Sequence, residues 1–186
     1  MKTVGFILCG GASSRMGEDK SALVFEGKTL LTRARHTLVP VCDDVYTVGR
    51  NGTDLIDDKP LAGPAWAILS AMQKVEEATP MRVVVLPVDM PLCQTKAIKT
   101  LLDASEVSKT SVFAEGYLMP LVLQTDATGL AKISRVCAKE QSLSVRYLLS
   151  LFGSQPVAMT GFSNNTFMNV NNKEDWQNLQ KACQNQ

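Results

Sequence analysis

The sequence predicts a three-layer α/β/α fold built on a mostly parallel, Rossmann-like sheet with a small antiparallel portion. Three features point that way. Short apolar runs alternate with amphipathic stretches, without a linker, repeat or low-complexity tract. Strands whose crossover helices cover both faces of a sheet leave this pattern. Val83-Val84-Val85-Leu86 has no polar alternation, as a central strand buried on both faces requires. A glycine-rich loop follows the first apolar run, and open α/β sheets bind ligands outside the carboxyl ends of their strands. The 186 residues suit one domain over 1–186, with a real core needing neither metal nor disulfide.

The elements come in order. Residues 4–8 form the first strand, and the loop Gly10-Gly11-Ala12-Ser13-Ser14-Arg15-Met16-Gly17-Glu18-Asp19-Lys20 comes after it. Residues 22–25 are a short apolar piece ending in a turn at Glu26-Gly27-Lys28. A helix starts at Thr29, carries Leu30, Leu31, Ala34 and Leu38 on one face, and stops at Pro40. Residues 44–48 are the second strand, with Gly49-Arg50-Asn51-Gly52 at its carboxyl end. Asp57-Asp58-Lys59-Pro60-Leu61-Ala62-Gly63-Pro64 reads as a rigid loop before a helix over 65–77. The central strand, 82–87, leads to Pro87-Val88-Asp89-Met90-Pro91. A helix over 95–104 is followed by strands at 111–115 and 117–123, a hairpin with Pro120 at a bulge or edge. Asp126 and Ser142 are N-cap candidates for two more helices, residues 155–159 a last strand, and Asn172 the cap of a final helix with Glu174 and Asp175 in its first turn.

Composition narrows the function. The net charge of +1 favours neither nucleic acid nor a membrane surface, so affinity for phosphate must come from a local cluster. Cys9, Cys42, Cys93, Cys137 and Cys183 are dispersed and lack a C-x-x-C pair, so neither a disulfide framework nor a zinc site is indicated. Free thiols fit a reducing cytoplasm. No apolar run approaches the roughly 18 residues of a membrane span. Cys9 as a nucleophile would need a nearby base, and the sole histidine, His36, falls in a helix. Packing beneath the loop is the simpler role.

The opening loop has the chemistry of a polyphosphate site. Glycines bare the backbone N–H groups, which form an anion-binding concavity. Arg15 offers paired donors and Lys20 a point charge. Neither the Walker spacing nor G-x-G-x-x-G fits. Glu18 and Asp19 suggest a nearby cation or sugar hydroxyl, although surface charges on an ordinary strand-to-helix loop would look the same. Asp89 reads equally as a turn carboxylate or as a hard ligand for Mg²⁺. Asn169 and Asn171 alternate along an extended piece, so their amides share a face and could meet a polar heterocycle or phosphate, or serve turns.

The run L-x-G-G-x-S-x-R-M-G-x-D-K resembles the signature loop of MobA-like nucleotidyltransferases, and among them the molybdenum cofactor guanylyltransferases. Pro87-Val88-Asp89-Met90-Pro91, Asp57 to Gly63, and Asn169-Val170-Asn171 are similar to further family blocks. The resemblance implies a nucleotide-diphospho-sugar transferase-like fold. It also implies a GTP donor, a molybdopterin or molybdenum cofactor acceptor, and Mg²⁺ on Asp89. It places Leu8, Cys9, Gly10, Gly11, Lys20, Asp58 and Asp89 at the nucleotide, Arg15, Lys20 and Asp89 in catalysis, and Asn169 and Asn171 at the acceptor. The molybdenum-insertion enzyme and molybdoenzyme chaperones are the implied protein partners.

Several positions depart from the family pattern. Cys9 stands where Ala is common, and Thr47-Val48-Gly49-Arg50 lacks an expected Asn. Met119 replaces His or Gln. Lys139-Glu140-Gln141-Ser142-Leu143 lacks an arginine that Arg146 could replace, and no Thr-Pro follows Asn171. Most of these fall on the acceptor side. A CTP-dependent molybdenum cofactor cytidylyltransferase is the neighbouring reading, although Gly10-Gly11 favours guanine over the Ala-Gly usual there. A noncatalytic nucleotide-binding member of the fold is the third.

Overall fold

The structure is a computed structural model. It describes residues 1–9, 19–50, 52–57, 62–75, 80–126, 129, 131, 133, 135–136 and 143–184, the last three by backbone alone. Seven strands form the main sheet in the order β5-β4-β1-β6-β8-β7-β9. These are β1 (Lys2–Leu8), β4 (Asp44–Gly49), β5 (Leu55–Ile56), β6 (Met81–Pro87), β7 (Val112–Ala114), β8 (Leu121–Thr125) and β9 (Gln155–Val157). β1 pairs parallel with β4 and β6, and β5 pairs parallel with β4. β8 runs antiparallel to both β6 and β7. The mostly parallel sheet with an antiparallel insertion is therefore present.

β6 holds the middle of that order, and its side chains divide by period two. Val83 and Val85 enter a core with α2 (Pro64–Lys74) and α4 (Val145–Leu151). Val84 and Leu86 enter the opposite core with α1 (Leu30–Leu38), α3 (Thr95–Ser108) and α5 (Lys173–Gln184). All four are at most 1% exposed, so the strand is sealed on both faces as its composition demands. Gly5 on β1 permits a close helix. A Cβ there would lie 3.1 Å from both Leu38 Cδ1 and Cys42 Sγ.

Local signals set most boundaries. Thr29 caps α1, its hydroxyl accepting from the Thr32 N–H at 3.0 Å. The apolar piece at residues 22–25 ends in a small hairpin, in which β2 (Val24–Phe25) pairs with β3 (Lys28–Thr29). Its turn puts Glu26 at φ 48° and Gly27 at φ 74°, the left-handed pair that suits strand twist. α3 runs a turn past the expected end at Ala104, because Ser105 faces the core and donates to the Thr110 carbonyl at 2.7 Å. Pro120 is neither a bulge nor an edge residue. It lies just before β8, where no N–H is needed, and its carbonyl accepts from Ala114. The cap of α4 is Ser144, whose hydroxyl accepts from Tyr147 N–H. Ser142 lies outside the described residues. Asp126 acts as expected, accepting from Gly129 N–H at 2.8 Å.

The strand order reverses between β1 and β6, since β4 and β5 extend one way and β8 the other. The loops after Leu8 and Pro87 leave the sheet at this switch point, where a crevice opens in α/β sheets.

Candidate functional site

Three side chains distant in sequence meet above the switch point. Lys20 Nζ donates to Asp89 Oδ2 at 2.9 Å and to Asn171 Oδ1 at 2.9 Å. The lysine and aspartate side chains are each 19% exposed, so the pair is shielded from bulk water yet reachable.

Each member is set by its own backbone device. Lys20 opens a 3-10 turn over Lys20–Ala22 capped by Asp19. The Asp19 carboxylate accepts from both the N–H and the hydroxyl of Ser21 at 2.9 Å. Asp19 is thus engaged in shaping the turn that aims Lys20. Asp89 follows β6, with Val88 N–H bonded to the Leu8 carbonyl at 3.0 Å and Met90 N–H to that of Pro87 at 3.3 Å. Asn171 precedes α5. There Asn172 Oδ1 accepts from Asp175 N–H at 2.9 Å, while Asp175 Oδ2 accepts from the N–H groups of Asn172 and Asn171 at 3.2 and 2.7 Å. This reciprocal cap satisfies the helix start without the Thr-Pro pair of the family pattern. The sequence places Asp175 in the first turn of this helix, and the structure adds that its carboxylate closes the cap, a pairing signalled by an N-cap amide with a carboxylate three residues on.

Asn169 and Asn171 are exposed on either side of Val170, which is 0% exposed. This alternation of exposed, buried and exposed positions is the one the expected shared face requires. Leu8 is buried at the end of β1, so its side chain belongs to the core and its carbonyl is engaged by Val88. Cys9 N–H bonds to the Val48 carbonyl at 2.8 Å, and its side chain packs against the core on the α1 side. Burial, reinforced by Asp19, pushes its thiol up to about 12. A thiol so held is not a nucleophile at neutral pH. Gly10, Gly11, Arg15 and Asp58 lie outside the described residues.

The stretch lacking the family asparagine is committed elsewhere. Thr47 donates its N–H and hydroxyl to Asp54 Oδ2, both at 2.8 Å, and Arg35 adds a bond at 3.1 Å. The Thr47 bonds, then Arg35, hold the Asp54 carboxyl below its ordinary range. Thr47 is 4% exposed and presents nothing to a ligand. Arg146 is exposed on α4.

The donor set suits a small hard cation. Asp89 supplies one carboxylate beside an amide oxygen, both already turned to a cationic group, and Mg²⁺ asks for only one or two carboxylates, with water and phosphate completing its shell. Among the described residues no three His, Cys, Asp or Glu side chains gather, so no all-protein cage is found among them. No helix among them is long and apolar enough to cross a membrane.

A mostly parallel sheet with a lysine–aspartate pair beyond the carboxyl ends of its strands defines an α/β protein with its candidate site at the topological switch point. Comparison gives the particular family: residues 5–151 match the MobA-like NTP transferase domain, and the chain belongs to that family as a MobA-like nucleotidyltransferase. It is 31% identical to a molybdenum cofactor guanylyltransferase from Xanthomonas euvesicatoria pv. vesicatoria, covering 94% of this chain and 93% of the relative. A molybdenum cofactor guanylyltransferase from Rhizobium meliloti is 35% identical over 46% of this chain and 45% of its own. The fold is that of the nucleotide-diphospho-sugar transferases. Molybdopterin-guanine dinucleotide biosynthesis protein A from Archaeoglobus fulgidus superposes with a TM-score of 0.75 at 17% identity, covering 99% of this chain and all of that one. The Francisella tularensis 2-C-methyl-D-erythritol 4-phosphate cytidylyltransferase gives 0.67 at 13% identity, covering 97% and 99%.

Proposed function

We propose that this protein transfers GMP from GTP to the phosphate of molybdopterin, releasing pyrophosphate and forming the guanine dinucleotide cofactor. The observation that carries the proposal is the meeting of Lys20, Asp89 and Asn171 at the switch point, in a chain similar over its length to a molybdenum cofactor guanylyltransferase.

The acceptor phosphate oxygen attacks the α-phosphorus of GTP in line. The α–β phosphoanhydride bond breaks, and its electron pair leaves with pyrophosphate. A phosphate monoester is already an oxyanion at neutral pH, so no protein nucleophile is required. The task is positioning and charge stabilisation. Lys20 would stabilise the charge gathering on the α-phosphate and pyrophosphate, and by family resemblance so would Arg15. Asp89 is the residue that would hold Mg²⁺, which when bound supplies charge neutralisation at the phosphates. By family resemblance Gly10, Gly11 and Asp58 are assigned to the guanine nucleotide, with Leu8 and Cys9, whose side chains pack in the core, leading from β1 into that loop. Asn169 and Asn171 are assigned to the pterin side.

Calorimetric titration of GTP, CTP, ATP and UTP with Mg²⁺ tests the donor. Selective GTP binding followed by pyrophosphate release with molybdopterin supports the proposal. Preferred CTP binding moves the chain to the cytidylyl branch, and failure to bind any nucleotide overturns it.

A further inference from the structure

The assignment of Asn171 to the acceptor is where the geometry says more. Its Oδ1 is spent on Lys20 Nζ at 2.9 Å. A lysine ammonium has only donors, so the amide oxygen must face it. We infer that Asn171 is a positioning residue of the donor half: it holds the Lys20 ammonium beside Asp89, leaving Asn169 as the amide free to meet the acceptor. The inference rests on the nucleotidyl-transfer reading and deepens it.

The segment around Asn171 is fixed on both sides. Val170, just before it, is fully buried and donates its N–H to the Asp89 carbonyl at 2.8 Å. The N–H of Asn171 itself is held by Asp175 Oδ2 at 2.7 Å. α5 is seated in turn by Trp176, edge-on to Phe25 with centroids 6.0 Å apart, on the hairpin after Lys20. The amide therefore comes to the lysine from a rigid mount. Asn169 makes no hydrogen bond of this kind among the described residues, although it shares the face.

The chemistry explains an amide at this position. A second carboxylate would hold the ammonium as an ion pair and compete with incoming phosphate. A neutral carbonyl oxygen orients Nζ, leaves its charge in place, and releases it at small cost when phosphate oxygens arrive.

A double-mutant cycle tests this, using Lys20→Ala, Asn171→Ala and the pair on the full-length chain, with Mg²⁺-GTP binding read by calorimetry. Asn171→Ala should weaken GTP binding about 5- to 30-fold in the wild type and by less than about 2-fold when Lys20 is already Ala. Asn171→Asp should not restore binding, because the added charge competes with phosphate. An Asn171→Ala effect that persists undiminished in the Lys20→Ala background, or that appears only in the acceptor KM, overturns the inference. If the wild type binds no nucleotide, the nucleotidyl-transfer reading fails separately. The cycle is then read in thermal midpoints: non-additive shifts support the bridge, and additive ones overturn it.

Discussion

Val170 donates its backbone N–H to the backbone carbonyl of Asp89 at 2.8 Å. This one bond ties the segment before α5 to the loop leaving the central strand. It also aligns Asn169 and Asn171 beside the aspartate without using either side chain.

Val170→Ala should therefore cost more than an ordinary surface change. Loss of two fully buried methyl groups removes about 1.6 kcal/mol of transfer free energy, with a cavity penalty added. Urea unfolding should show a loss of about 2 kcal/mol, and GTP binding should weaken because the mount of Asn171 loosens.

Replacing Asp89 by Ala should abolish the Mg²⁺ dependence of nucleotide binding while the far-ultraviolet circular dichroism stays native. The side chain is partly exposed and, among the described residues, bonded to Lys20, so its removal leaves no deeply buried group unsatisfied. Metal dependence that survived the substitution would remove Asp89 from the metal site.

Lys20→Ala should lower turnover by about 10²–10³-fold, the loss seen when one preorganised donor to a developing negative charge is removed. Lys20→Arg should recover little, since a planar guanidinium cannot sit between Asp89 and Asn171 as a compact ammonium does. Single-turnover kinetics at saturating GTP separates this from weaker binding.

The thiols of Cys9, Cys42 and Cys93 are each pushed up to about 12 by burial. A thiol pKa raised by folding means that the native state binds more protons than the unfolded chain between about pH 9 and 12, so stability is full below that window and falls as pH rises through it. The unfolding midpoint should drop above about pH 9, less steeply in Cys93→Ala after correction for its cavity. Cys9→Ala should keep turnover within about threefold, as expected for a thiol that is protonated and unreactive at neutral pH.

Asp54→Ala should strip the Thr47 hydroxyl and N–H of the carboxylate that accepts from both. The cost should be about 1 kcal/mol, at the low end for such a loss because the carboxylate is half exposed. Its lowered pKa adds stability above the ordinary carboxylate range that fades as pH falls below it. Acid titration of wild type against the variant reads both effects.

What the sequence made legible was local chemistry. Val83 to Leu86 announced a strand sealed on both faces, and Thr29 and Asn172 announced their helices, because a cap acts within one turn. The β2–β3 hairpin was hidden because two-residue strands are too short to show alternation. Ser142 and Ser144 are equivalent as caps in sequence, and burial of Val145 at 7% exposure goes with the later start. The extra turn of α3 depended on a carbonyl at Thr110 that Ser105 meets only after folding.

The site divided the same way. Lys20 and Asp89 could be proposed from their motifs, but their contact crosses 69 positions. The Lys20–Asn171 bond crosses 151, and no periodicity reaches that far. The missing Thr-Pro looked like damage to the acceptor side, yet Asn172 and Asp175 satisfy the helix start without it.

That long reach also bears on how the fold assembles. Every described strand of the main sheet is complete by Val157, while the second contact to Lys20 comes from Asn171. Closing a loop of 151 positions is entropically costly unless the intervening chain is already compact. The lysine is therefore held from both sides only once the sheet has brought the two ends of the described fold together.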